Sequence, residues 1–338
     1  MAEMTKIGNI EIKGDVILSP MAGFSDSPYR QICREQGSAM SYTEFVSTDA
    51  ITRGSKKSIE MFRFKDVERP ITFQIFGNKI GVVTDAAKIA AELGPDILDL
   101  NMGCSVTKVA FKGSGAGLLR KPEFAGQMME SLVKNLKIPV TAKIRIGWDH
   151  QSLNYKEIVH ILQESGVSAI AVHGRTKSMN YKGLADWNII GEIKSFAKVP
   201  IFGNGDVQSL AEAKKRIAET GVDAVLIGRA TIGNPWVFSG RDKKDIGFDE
   251  IRKMMIHHLE LMLEFYGEEF GLKLFRKHVA KYMKGYHGVA ELRNRLVRTE
   301  ITSDFLNMLN DFDPAFFVQN EMAEEDEEMT CESGCEVV

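Results

Sequence analysis

Cysteine is scarce in this chain. Four residues in 338, Cys33, Cys104, Cys331 and Cys335, are scattered too widely for a disulfide framework. A reducing, cytoplasmic setting fits that usage. Long apolar runs are missing too: no stretch approaches the roughly 20 residues a membrane span needs. The first twelve residues alternate polar and apolar and have no basic segment ahead of an apolar one, so no signal peptide is expected. No GxGxxG follows the first strand-like run, which weakens a dinucleotide-binding open sheet. The pair Cys331/Cys335 has neither a histidine nor a second cysteine pair beside it, so no metal site is expected.

Charge of one sign is absent only on average. The formal net charge is -3, but residues 321–338 hold eight acids and no Lys or Arg. Residues 1–320 are therefore net +5, with 43 bases against 38 acids. Residues 271–300 carry eight bases and two acids, a local excess that a polyanion would feel.

What is present is a repeated unit. Short β-rich runs occur at 16–19, 41–45, 71–76, 97–101, 140–144, 169–173, 200–203 and 224–227. Each ends in a polar or Gly-rich turn, and an amphipathic segment follows. Eight parallel βα units over about 220 residues predict a closed (β/α)8 barrel; a doubly wound open sheet is the alternative. Helices are expected over about 25–36, 84–93, 122–136, 153–165 and 209–221. Residues 7–16 read as a hairpin turned at Lys13-Gly14 that covers the barrel bottom. After Phe238 the pattern becomes purely helical. Residues 1–240 are thus expected to form the barrel, 241–320 a smaller all-α domain, and 321–338 a disordered acidic tail.

The polar and Gly features cluster at the carboxyl ends of the expected strands, where barrels of this kind keep their chemistry. Cys104 follows the fourth run and precedes the Gly-rich turn 112–117. The first run ends in Ser19-Pro20-Met21-Ala22-Gly23, the third holds Gln74, and the sixth ends in His173-Gly174-Arg175. The fifth run puts Thr141, Lys143 and Arg145 on one face by its period of two. The seventh and eighth end in Gly203-Asn204-Gly205-Asp206 and Gly228-Arg229. The last two loops commonly bind phosphate in this fold, with Gly203 and Gly205 offering backbone N–H groups and Arg229 a charged fork. A phosphorylated cofactor in the mouth accounts for the set, and flavin mononucleotide (FMN) suits the mixture of Gln, Lys, His and Gly. In 272–284, Leu272, Phe275, Val279 and Met283 share one helical face, while Lys273, Lys277, Lys281 and Lys284 share another.

The segments LSPMAGFSDSPY (18–29), FQIFG (73–77), DLNMGCSVTKV (99–109), KGSGAGLL (112–119), AKIRIG (142–147), VHGRT (172–176), GNGDV (203–207) and IGRATIGNPW (227–236) together resemble the tRNA-dihydrouridine synthases, most closely the bacterial B-type branch. The resemblance covers roughly residues 7–315. It implies an FMN barrel followed by a helical tRNA-binding domain, with NADPH or NADH as reductant and Cys104 as the catalytic thiol. It implies that Pro20, Met21, Ala22, Gln74, Lys143, His173, Asn204, Gly205, Asp206, Gly228 and Arg229 bind the cofactor. Asn101, Arg145, Arg175, Lys273, Arg276, Lys277, Lys281, Arg293 and Arg295 would face the RNA substrate. The family usually has proline after the catalytic cysteine; Ser105 stands there, implying a looser loop. Two other classes compete: an FMN barrel oxidoreductase acting on a small molecule, of the dihydroorotate dehydrogenase kind, and an RNA-binding protein with a structural flavin. The basic helical segment argues against the first. Cys104 and Lys143 together argue against the second.

Overall fold

The computed structural model describes residues 5–316 and 318–319; the acidic tail expected at 321–338 lies outside them. A hairpin of β1 (Thr5–Ile7) and β2 (Ile10–Ile12) precedes the barrel strands β3 (Val16–Leu18), β4 (Ser41–Tyr42), β5 (Val46–Ser47), β6 (Ile71–Phe76), β7 (Ile97–Met102), β8 (Val140–Arg145), β9 (Ala169–His173), β10 (Ile201–Asn204) and β11 (Ala224–Ile227). The ladders are parallel and run in the order β3-β11-β10-β9-β8-β7-β6-β4. The ring is completed between β4 and β3. There the Ala39 N–H donates to the Val16 carbonyl at 2.9 Å. The Ser38 hydroxyl accepts from the Leu18 N–H at 2.9 Å and donates to the Met40 carbonyl at 3.0 Å. One side chain thus stands in for missing ladder bonds where the strands are shortest.

The intervening helices are α1 (Ser27–Glu35), α2 (Thr48–Thr52), α3 (Lys56–Glu60), α4 (Ile80–Glu92), α5 (Thr107–Ala110), α6 (Pro122–Asn135), α7 (Tyr155–Glu164), α8 (Trp187–Phe196) and α9 (Leu210–Thr220). Their starts follow local chemistry. Asp26 caps α1 by accepting from the Tyr29 N–H, with proline in the first turn. Ser209 caps α9, which stops at Gly221 in the left-handed conformation. The expected (β/α)8 barrel is observed. Three boundaries differ. The second run, expected over 41–45, stops at Tyr42 as β4 and β5 follows at Val46, because the chain between them turns before it pairs again with β6. The helix expected from Thr84 begins at Ile80. The N-terminal hairpin turns at Gly8-Asn9 rather than Lys13-Gly14. A side chain at Gly8 would come within 2.8 Å of Pro139, and its φ of +59° favours glycine.

The barrel interior has two chemically different halves. Ile17, Tyr42, Ile97, Ala169, Ala171, Phe202, Ala224 and Leu226 pack with Ile7 and Ile12 of the hairpin, so the bottom is plugged by apolar side chains. Above them, β6 to β10 turn Gln74, Asp99, Asn101, Thr141, Lys143, His173 and Asn204 inward, all buried. The alternate positions, such as Leu98, Leu100, Ala142 and Ile144, face the surrounding helices. After the barrel come α10 (Phe248–Tyr266), α11 (Glu268–Tyr282), α12 (Ala290–Leu296) and α13 (Thr302–Asn310). They bury their own cluster, including Leu272, Phe275, Val279 and Met283 as the helical spacing predicts, with Trp236 from the barrel side. No helix among the described residues is long and apolar enough to cross a membrane.

Candidate functional site

The centre of the mouth is a buried polar chain that leads from the barrel axis to the thiol loop. Asp99 accepts from the Thr141 hydroxyl at 2.6 Å and from the Gln74 amide at 2.8 Å. That fixes the Gln74 amide, whose oxygen accepts from Asn101 Nδ2 at 3.0 Å. Asn101 Oδ1 in turn accepts from the Gly103 and Cys104 N–H groups, at 3.1 and 2.8 Å. Burial pushes the Asp99 carboxyl up from its ordinary value, while the bonds from Thr141 and Gln74 and the charge of Lys143 oppose the rise.

Cys104 sits half-buried on the loop after β7. Its carbonyl accepts from the Ala116 N–H at 3.1 Å. Gly115 presses so close that an added Cβ would lie 2.9 Å from Cys104 Cβ, at a φ of +54°. The Gly-rich segment 112–117 therefore clamps the thiol loop. Arg145 ties the loop from the other side: Nε donates to the Gly103 carbonyl at 2.9 Å and Nη2 reaches the Ser105 hydroxyl at 3.5 Å. The looser loop implied by serine at 105 is thus offset by a contact that proline could not accept.

Lys143 is buried and donates to Asn204 Oδ1 at 3.1 Å. Burial, with Arg145 next in importance, pulls its ammonium down to about 8. Asn204 is held by donating to the Leu226 carbonyl at 2.9 Å. His173 Nε2 lies 3.2 Å from Arg175 Nη1. Guanidinium cannot accept, so Nε2 is the acceptor and the proton belongs on Nδ1. Burial first, then Arg145, Lys143, Arg175 and Arg229, holds this imidazole well below its ordinary value, so it is neutral.

Several expected residues serve other partners. Arg175, expected to face RNA, is 2% exposed. Its guanidinium pairs with Asp206 at 2.6 Å and donates to the Gly183 carbonyl at 2.6 Å. Asp206, expected at the cofactor, also accepts from the Ala185 N–H at 2.7 Å and from Arg229 at 3.2 Å. Its carboxylate aims the cations, and its φ of +54° shows how sharply the loop bends there. Arg145 spends Nη1 on the Thr176 and Asn180 carbonyls, at 2.6 and 2.8 Å. Gly203 faces away from the mouth, where a Cβ would lie 2.4 Å from the Trp187 ring. It is glycine for that packing and not for an anion. Gly205 does belong to the mouth, wedged against Ala185 and His173 at a φ of +132°. Met21 lies against Gly228, and its backbone N–H and carbonyl are both engaged by Ser25.

Sequence reasoning passed over Asp99, the anchor of the chain. Its signal was legible, because Asp99 and Asn101 share the inward phase of one strand. It also passed over an aromatic rim. Phe111, two-thirds exposed, meets Trp148 edge-on with ring centres 5.4 Å apart, and Lys177 lies over both rings at 4.9 and 5.0 Å.

Of the cationic residues expected on the helical segment, Lys273 and Arg295 are exposed and Arg293 is half-buried. Lys277 lies over the Phe24 ring at 5.5 Å, and Lys281 is half-buried. Arg276 is tied at 2.6 Å to the Thr299 carbonyl. Arg295 and Arg298 line an open groove of about 600 Å³ with Glu291, Asn294, Thr299 and Met308.

A closed parallel barrel with a cationic, amide-rich mouth and a clamped thiol at the carboxyl ends of its strands defines a protein of the (β/α)8 class. Among solved structures, histamine dehydrogenase from Rhizobium sp. 4-9 shares the fold at a TM-score of 0.56 and 13% identity, over 77% of this chain and 50% of that one. A 2-naphthoyl-CoA reductase does so at 0.55 and 12%, over 70% and 51%. The dihydrouridine synthase family model matches residues 17–317, and this chain belongs to that family. It is 36% identical over 307 residues to tRNA-dihydrouridine synthase B of Pseudomonas aeruginosa, covering 88% of this chain and 92% of the relative. The enzyme of the same name from Vibrio vulnificus is 35% identical over 296 residues, covering 85% and 92%.

Proposed function

We propose that this protein reduces a uridine of tRNA to 5,6-dihydrouridine, with FMN in the barrel mouth and Cys104 as the proton donor. When bound, FMN supplies the hydride that goes to uracil C6, and NADPH or NADH restores it. The mouth suits such a group. It is a polar layer, buried but for Arg229 and Asp206 at its edge, in which Lys143, Arg145, Arg175 and Arg229 outnumber the carboxyl groups of Asp99 and Asp206. A buried ammonium with one hydrogen-bond partner among the described residues favours an anionic or carbonyl-rich ligand.

The chain's own residues do the rest. Lys143, held by Asn204, offers its remaining N–H groups to negative charge on the ligand. Arg229 is half-exposed and is steered by Asp206, so part of its fork is available for phosphate. Pro20, Met21, Ala22, Gly205 and Gly228 supply backbone surface, and His173 supplies a neutral ring. Cys104 holds a proton at Sγ. The Asp99–Gln74–Asn101 chain and the Arg145 clamp keep that loop from drifting while the proton passes to uracil C5, which carries negative charge once C6 is attacked. The base must leave its stack to reach this depth. Phe111 and Trp148, flanked by Lys177, offer stacking and phosphate contacts at the rim, and Lys273, Arg293 and Arg295 extend the cationic track.

The observation that carries this reading is the thiol loop braced from β7 and β8 beside a buried lysine. Unmodified tRNA incubated with the protein and NADPH, then digested for mass spectrometry, should contain dihydrouridine. Cys104→Ala should keep the yellow colour and lose that product. Full product from Cys104→Ala excludes the acid role. Turnover of free uridine at the rate of tRNA excludes the RNA substrate and favours a small-molecule enzyme.

A further inference from the structure

The helical segment meets the barrel through a cluster that neither the mouth nor the RNA face uses. Asp26 caps α1, α10 brings His258, and α11 brings His278. Both histidines are 0% exposed and Asp26 is 7%. One carboxylate oxygen of Asp26 and one ring nitrogen from each histidine all lie within 4.8 Å of one another.

The nitrogens are oddly placed for plain core histidines. His258 Nδ1 is 3.1 Å from the Tyr282 hydroxyl, but its Nε2 is buried with no hydrogen-bond partner among the described residues. The same is true of both nitrogens of His278. Interiors seldom leave polar atoms so stranded. Phenylalanine would fill the same space without that cost. The rings are also fixed in place: Tyr29 packs on His258 and His278 with ring centres 5.7 and 5.3 Å away, and Phe275 packs edge-on to His258 at 5.0 Å.

We propose that Asp26, His258 and His278 form a site for a divalent transition-metal ion of the zinc class, bolting the α1 cap of the barrel to α10 and α11. Two imidazoles and a carboxylate are a donor set that zinc takes. Tetrahedral zinc, at bonds of about 2.0–2.2 Å, spaces its ligand atoms by about 3.3–3.5 Å, so small side-chain rotations close the cluster. Tyr282 takes the supporting position usual for a ligating histidine, holding Nδ1 so that Nε2 points at the metal. Tyr266 does the same for the carboxylate, donating to Asp26 Oδ2 at 3.2 Å. Burial holds both imidazoles well below their ordinary values, the neutral state in which they ligate. Charged groups around the site pull both ways: Lys277 and His257 disfavour a cation there, and the half-buried carboxyl of Glu44 opposes Lys277.

The absence of a metal motif in the sequence does not bear on this site, because Asp26 lies more than 200 residues along the chain from the two histidines.

The test uses full-length protein without an affinity tag, stripped with a chelator and titrated with cobalt(II). One equivalent should bind with the visible absorption of a four-coordinate N/O site. Zinc should raise the Tm of wild type but not of Asp26→Asn or His278→Gln. Asp26→Asn retains an oxygen to cap α1, so it serves if His278→Gln does not fold. No stoichiometric uptake by stripped wild type overturns the proposal. So does equal uptake by Asp26→Asn, which would mean that the metal is held without Asp26, away from this cluster.

Discussion

Lys143 carries its charge into a place that resists it, and the consequence is measurable. Its ordinary value near 10.5 falls to about 8 in the folded chain. Between those values the unfolded state binds more protons, so stability rises with pH across that window. Below pH 8 the full penalty is present, at most ~3.5 kcal/mol at about 1.4 kcal/mol per unit. In flavin-free protein, Lys143→Met should therefore gain most over wild type at pH 7, and the gain should shrink as pH rises from 8 to 10.5. Urea denaturation at pH 7, 8.5 and 10 checks this; a pH-independent gap would assign Lys143 no buried charge. The period of two made Lys143 and Arg145 visible as inward residues. It could not show that Arg175 faces Asp206, since nothing local in the chain records a pairing across 31 residues.

At the level of elements, the seam between β3 and β4 is held by one hydroxyl beside the backbone bond from Ala39 to Val16. Ser38→Ala leaves the buried Leu18 N–H and Met40 carbonyl without that partner, a loss of about 1–3 kcal/mol. The midpoint of thermal unfolding should fall, while flavin retention at low temperature should hold, since the buried polar groups of the mouth, Gln74, Lys143, His173 and Asn204, lie on other strands. An unchanged midpoint would mean that β3 and β4 close the ring without help. Gly203→Ala tests the same level from outside the barrel. Its Cβ would overlap the Trp187 ring, so α8 must shift and stability must fall by an amount typical of overpacking, about 1–3 kcal/mol. Activity equal to wild type at an unchanged unfolding midpoint would refute this packing account. Strand positions were legible because buried runs and turn residues alternate sharply. The hairpin turn was misplaced because Lys13-Gly14 and Gly8-Asn9 are both plausible turns by composition, and contact with Pro139 decides between them.

The whole molecule presents cationic residues on its helical segment as well as at the barrel mouth. Binding of tRNA should weaken with added salt, with a logarithmic slope that falls by about 0.7–0.9 for each phosphate contact removed. Replacing Lys273, Arg293 and Arg295 together by alanine should reduce that slope and leave flavin content and NADPH oxidation unchanged. An unaltered slope would place the RNA elsewhere, with the Phe111 rim as the first candidate.

The amino-acid order by itself determined the eightfold βα rhythm, the inward phase of each strand and the loop that carries Cys104, because these depend on neighbours one to four residues apart. Only the tertiary structure decided which charges neutralise one another, how Gly115 and Arg145 clamp the thiol, and that Asp26 meets His258 and His278. Those outcomes depend on ring closure and on helix docking, which bring distant residues within bonding range and exclude the water that would otherwise satisfy them.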